Sequence, residues 1–344
     1  MMGALVKSAT RWAADLSRAV ARTPLGRVVT VDRSENAGCF CVHAGARVLS
    51  GFRTVRYWKE EGAVVLNYHE VEPRRFEKHL EFISSHWNIV SLDTLCEHIE
   101  AGKDIGNSVV ITFDDGFKSN VNLLPAIQKY NAPITLYLVS SVVGTDGEFW
   151  PATVDSLRAM AAAAKLKGPV IRDYSYYLSI PERQKNEEIS RAVAQLQYSP
   201  QGRTALSLEE IDRMIRSGLV TVGSHCRSHP CLSMTSDDDA WDEISGSKRD
   251  LEAKLGVSIR HFSYPNGEFR DKHVSMVKRA GYASATTAIP ELNTANTNLF
   301  KLRRIRVGAE WSRWTLSCYM SGLSDRLGIS DHEKARLRAR GVQF

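Results

Sequence analysis

From about residue 63 onward, short apolar runs alternate with amphipathic stretches. AVVLNY (63–68), VVITF (109–113), ITLYLV (134–139) and LVTV (219–222) are rich in β-branched side chains and predict strands. RHFSY (260–264) and LRRIRV (302–307) predict two more. Between them, RRFEKHLEFISSH (74–86) predicts a helix whose apolar set is Phe76, Leu80, Phe82 and Ile83, and another helix runs through SNVNLLPAIQKY (119–130). SLEEIDRMIRSG (207–218) carries its own start and stop: Ser207 with Glu210 forms a capping-box pattern, and Gly218 ends the helix. Strands alternating with helices argue for a parallel sheet, either barrel or doubly wound. In both, sites are built at the C-terminal ends of the strands.

Residues 145–205 break this rhythm with two helical stretches around the aromatic YSYYL. They read as a helical insertion, either a cap over the site or a surface elaboration. The chain thus divides into an N-terminal helical, basic extension (1–62), a catalytic-type domain (63–322) carrying the insertion, and a basic tail (323–344). In the extension, Leu5, Ala9, Trp12, Leu16 and Val20 share a helical face, and Lys7, Arg11, Arg18 and Arg22 face a single acid, Asp15. Such a helix either packs on its own domain or lies on a membrane surface or partner. EKARLRAR (333–340) in the tail reads as a solvated helix face.

Composition narrows the class. Of 344 residues, 43% are apolar and 24% charged, which fits a soluble globular chain long enough for an α/β barrel with insertions. The net charge of +6 is a weak pull toward anionic surfaces, and no nucleic-acid-binding module accompanies it. No run of 18 apolar residues is present to span a membrane, and the N-terminus lacks the apolar core of a secretory signal. The six cysteines have no framework spacing and read as free thiols of a reducing compartment. The expected location is the cytoplasm, with association at its membrane face through the N-terminal helix left open.

Three strand ends carry chemistry. One ends in Asp114-Asp115-Gly116, the next leads into His225 and, four residues on, His229, and the third into Pro265-Asn266-Gly267. Two histidines at this spacing can reach one metal ion, and a carboxylate added to them makes an open site for zinc or another divalent transition metal. One aspartate then serves as ligand while its neighbour stays free as a base, provided the glycine lets the backbone turn both carboxylates into one pocket. A turn with a helix N-cap is the plainer reading of Asp-Asp-Gly.

TFDDG (112–116), SHCRSHP (224–230) and FSYPNG (262–267), in that order, resemble the polysaccharide deacetylases of carbohydrate esterase family 4, over roughly residues 63–310. The resemblance implies a distorted (β/α) barrel of about seven parallel strands and metal-dependent removal of acetyl groups from N-acetylglucosamine units. It assigns Asp115, His225 and His229 to the metal, Asp114 to the general base, and the peptide N–H of Asn266 to the oxyanion. NYHEV (67–71) resembles the first-strand motif of the branch related to poly-N-acetylglucosamine deacetylases, which makes His69 the general acid. The chain departs from the pattern where Ser263 replaces an arginine, with Arg260 nearby, and where Asn266 replaces a tyrosine, losing an aromatic wall.

The expected reaction is amide hydrolysis at an N-acetylated sugar, with zinc as the first choice of divalent cofactor and a carbohydrate as partner. An O-acetyl esterase, another amide hydrolase and a non-catalytic glycan-binding protein on the same fold are the alternatives. Arg304 or Arg306 is a candidate to orient Asp114 through a bidentate contact, although an exposed strand edge is the preferred reading of both. Trp150 reads equally as a sugar platform or a packed aromatic. His261 and His273 read as structural or exposed, and Cys226 as an inert neighbour of the histidines rather than a soft ligand.

Overall fold

The computed structural model describes residues 62–103, 105–165, 170–320 and 330–342. The strands are β1 (Val64–Tyr68), β2 (Asn88–Ile89), β3 (Ser108–Phe113), β4 (Ile134–Leu138), β5 (Val220–Ser224), β6 (His261–Ser263), β7 (Ser284–Thr286) and β8 (Ile305–Arg306). They form one parallel sheet in the order β7-β6-β5-β4-β3-β1-β8, with β2 added beside β3. Its seven-strand path is the expected distorted (β/α) barrel. The two edges meet at Leu302, three residues before β8: its N–H donates to the Ala285 carbonyl (2.9 Å) and its own carbonyl accepts from the Thr287 N–H (2.7 Å).

The burial pattern explains the run-like strands. All five residues of β1, all six of β3 and all five of β4 are buried, as a sheet covered on both faces requires. The helix Pro73–Ser84 lays the expected Phe76, Leu80, Phe82 and Ile83 on the barrel. It buries His79 as well, which meets Tyr68 Oη at 3.1 Å and the Trp311 carbonyl at 2.9 Å. Helix Leu208–Arg216 has the full capping box of Ser207 and Glu210. The stretch 119–130 instead begins as a 3₁₀ turn, Lys118–Leu123, and becomes α-helical only at Leu124–Lys129.

Among its described residues the insertion has three helices, not two. Trp150–Ala163 and Glu182–Leu196 flank a short third, Tyr174–Tyr177, formed by the aromatic stretch itself. Val154, Leu157, Ile171, Tyr177, Ile189, Ala192 and Tyr198 give the insertion a core of its own. The tail also differs from its expectation. Helix Asp331–Ala339 buries Leu337 completely, and Lys334 and Arg340 pair with Glu291 and Glu268. Among the described residues no helix is long and apolar enough to cross a membrane. The amphipathic N-terminal helix expected within 1–62 lies outside the described residues, Gly62 excepted.

Candidate active site

Asp114, Asp115, His225 and His229 meet at the C-terminal ends of β3 and β5. Asp115 and Gly116 both take φ +72°, and this left-handed pair turns the chain so that the two carboxylates share a pocket. A Cβ at Gly116 would lie 2.5 Å from Leu138 Cδ2, so the position excludes side chains twice over.

The two aspartates are held in opposite electrostatic states. Burial opposes the charge of Asp114, but the Arg304 guanidinium, with His225 and His69, outweighs it and holds the carboxyl well below its usual range. Arg304 makes a bidentate contact, 2.8 Å to each Asp114 oxygen, and Asn67 Nδ2 donates to Oδ2 at 3.1 Å. Asp115 is pushed well above the usual range, by burial first and then by the adjacent Asp114. Its Oδ1 is buried without a hydrogen-bond partner, 3.7 Å from His225 Nε2 and 3.6 Å from His229 Nε2.

This donor set fits a divalent ion. One carboxylate oxygen and two imidazole nitrogens, all buried, lie within 4.8 Å of one another. Tetrahedral donors at about 2.1 Å from zinc sit roughly 3.4 Å apart, close to the spacing of the aspartate from each histidine. His225 Nδ1 is 2.8 Å from the Ser263 carbonyl; donating there leaves Nε2 with its lone pair toward Asp115. Burial lowers the proton affinity of both histidines, which suits ligands that must be neutral. Without a cation, an orphaned carboxylate at this depth would be costly.

The other candidates sort by position. His69 follows β1 at the same end of the barrel; burial, with Arg306, Arg304 and His225, pushes it down to about 3 against the pull of Asp114. Asn266 takes φ +58° in the turn after β6, with Oδ1 accepting from Tyr174 Oη at 3.2 Å and Nδ2 buried without a partner. Both departures from the family pattern are thus answered from elsewhere in the chain. Arg304 brings a guanidinium to Ser263 Oγ at 2.9 Å, and Tyr174 of the insertion brings an aromatic ring to Asn266. Arg260 instead pairs with Asp93 where β6 begins, at the opposite end of the barrel.

The preferred exposed-edge reading is overturned for Arg304, which is 1% exposed, and holds for Arg306. Trp150 is packed: Tyr174 stacks on it at 5.1 Å, the Lys185 ammonium lies 4.2 Å from its ring centroid, and His229 lies 6.5 Å away. Those contacts place the insertion against His229. Cys226 sits in the apolar core and outside the ligand cluster. His261 and His273 are completely buried and structural: His261 meets Ser284, and His273 accepts from the Arg270 N–H. Lys185, buried at 2% exposure, escaped the sequence reading because nothing in a helical Glu-x-x-Lys marks it as buried.

The sequence profile described as polysaccharide deacetylase matches residues 101–285, a span holding Asp114, Asp115, His225, His229 and Asn266. No curated protein matches the chain. Among solved structures, the Streptococcus pyogenes deacetylase PplD in complex with acetate is 19% identical, with a TM-score of 0.54 over 75% of this chain and 98% of that one. IcaB from Ammonifex degensii is 18% identical, with a TM-score of 0.55 over 76% and 98%. The BpsB deacetylase domain from Bordetella bronchiseptica is 16% identical, with a TM-score of 0.53 over 72% and 97%. At these identities the likeness is one of fold.

Proposed function

The chain belongs to the polysaccharide deacetylase family, hydrolases of non-peptide C–N bonds, and from that premise we propose that it removes N-acetyl groups from amino sugars of a polysaccharide or glycan precursor in a metal-dependent reaction. The observation that carries this reading is the split pair: Asp114 held ionised by Arg304, and Asp115 left without a partner beside two neutral histidines. His69 in NYHEV, together with the likeness to IcaB and the BpsB deacetylase domain, supports the branch related to poly-N-acetylglucosamine deacetylases. The acetate held by the PplD structure is the product such a reaction releases.

Asp115, His225 and His229 would hold the ion, zinc being the first choice for one carboxylate and two imidazoles. Held there, the ion would supply Lewis-acid chemistry, polarising the acetyl carbonyl and acidifying water. Asp114 accepts the water proton, its oxygens aimed by Arg304 and Asn67. The N–H of Asn266 supports the oxyanion. A proton equivalent to the one Asp114 takes from water reaches the leaving nitrogen through His69 as the C–N bond breaks. One water thus supplies hydroxyl to the acyl carbon and a proton to the amine.

Elemental analysis of the purified protein is expected to find about one divalent metal per chain, lost in an Asp115→Ala/His225→Ala variant. Asp114→Asn is expected to keep the metal and lose acetate release from N-acetylated chito-oligosaccharides by about 10²–10⁴-fold. Absence of metal after reconstitution would remove the hydrolytic reading, and release from O-acetylated sugars alone would replace the amidase with an esterase.

A further inference from the structure

The histidine-bearing loop is strained and held from outside. Cys226 and His229 take φ +64° and +59°, a region side chains rarely occupy. The barrel secures one side: the His225 N–H donates to the Leu138 carbonyl, while the Cys226 and Arg227 carbonyls accept from the N–H groups of Ser140 and Ser141. The outward N–H groups of Arg227 and Ser228 need another partner. Both donate to one oxygen of Glu243, at 2.8 and 3.0 Å, and Ser228 Oγ donates to its other oxygen at 2.8 Å.

Glu243 sits in a π-helical turn, Asp242–Gly246, inserted between the α-helices Asp237–Trp241 and Ser247–Leu255. Such one-turn widenings re-aim side chains and recur at functional sites. Gly246 closes the turn where a Cβ would come 2.9 Å from Arg227 Nε, leaving room for that guanidinium to reach Asp242 and Asp250.

We propose that Glu243 is a positioning residue of the metal centre: its carboxylate clamps Arg227 and Ser228 and thereby fixes His225 and His229 at coordinating distance. The inference rests on the metal-dependent reading above. It extends that reading to a side chain that contacts neither ion nor substrate. Clamping requires one acceptor oxygen for the two N–H groups rather than a negative charge, and a glutamine amide can turn its oxygen to them and donate to Ser228 Oγ, so glutamine should substitute and alanine should not.

The test is zinc affinity of the full chain, by competition with a chromophoric chelator, for wild type, Glu243→Ala, Glu243→Gln and Asp242→Asn. Glu243→Ala is expected to lose about 10–100-fold in affinity, the range for removing a partner that orients a ligand. Glu243→Gln should recover most of that loss, and Asp242→Asn, whose carboxylate meets the Arg227 and Arg249 side chains and none of the loop's N–H groups, should match wild type. A folded Glu243→Ala of wild-type affinity overturns the proposal, as do equal losses in the alanine and glutamine variants. If the alanine variant does not fold, Glu243→Asp, one methylene short, replaces it, and wild-type affinity there is equally fatal. Failure of the wild type to bind zinc removes the functional reading itself, an outcome distinct from any difference among variants.

Discussion

Arg304 decides what Asp114 can do. Its guanidinium also donates to Thr112 Oγ1 and to the Thr287 carbonyl, so it is held in place before it meets the carboxylate. Because the folded pKa of Asp114 is depressed, the pair's contribution to stability is complete above about pH 4 and is lost as pH falls through the depressed value. Arg304→Met strands a buried charge and is expected to cost about 3–5 kcal/mol in urea unfolding of the metal-free protein. A loss within error of zero would mean that Asp114 does not depend on the pair. The paired aspartates and the two histidines were legible in sequence because each cluster lies within five residues. The choice between Arg304 and Arg306 was not. It depends on β8 lying beside β1 with Arg306 opposite Asn67, a register that no local pattern encodes.

At the scale of elements, long apolar runs and side-chain caps announced β1, β3, β4 and the helix after Ser207, because burial on both faces and a capping box leave local marks. β2, with two residues, and β7, with three, are too short to show a period and were missed. The insertion's reach into the site was illegible for a different reason: Tyr174 and Asn266 are 92 residues apart and meet only in the folded chain. Tyr174→Phe keeps the stack on Trp150 and removes the hydroxyl donor to Asn266. About 1 kcal/mol is at stake, so kcat/KM should fall roughly fivefold with little change in melting temperature. Unchanged kinetics would reduce the insertion to a passive wall.

Over the described residues, buried and half-buried histidines set the response to acid. His69, His79, His225, His229 and His273 all have lowered pKa values, with burial the first cause in each; His273 lies at about 4 and His69 at about 3. The unfolded chain then binds more protons, so stability should fall from about pH 6.5 downward, toward those values. Asp115, Glu243 and Glu333, all raised by burial, act in the opposite sense and lose stability as pH rises, while the depressed Asp114 acts with the five histidines. Melting temperatures of metal-free protein between pH 7 and 4 are expected to decline steadily, and a flat profile would mean the histidines titrate normally. Zinc should raise the curve most at neutral pH, where its ligands are free of protons. The closure of the barrel at Leu302 and β8 also has a consequence in time. Arg304 lies 190 residues after Asp114, and at about 5–20 residues per second a ribosome needs roughly 10–40 s to travel between them. For that interval the nascent chain carries Asp114 with no counter-charge and a β1 edge with no neighbour, so synthesis itself is the period when this protein most needs protection from aggregation.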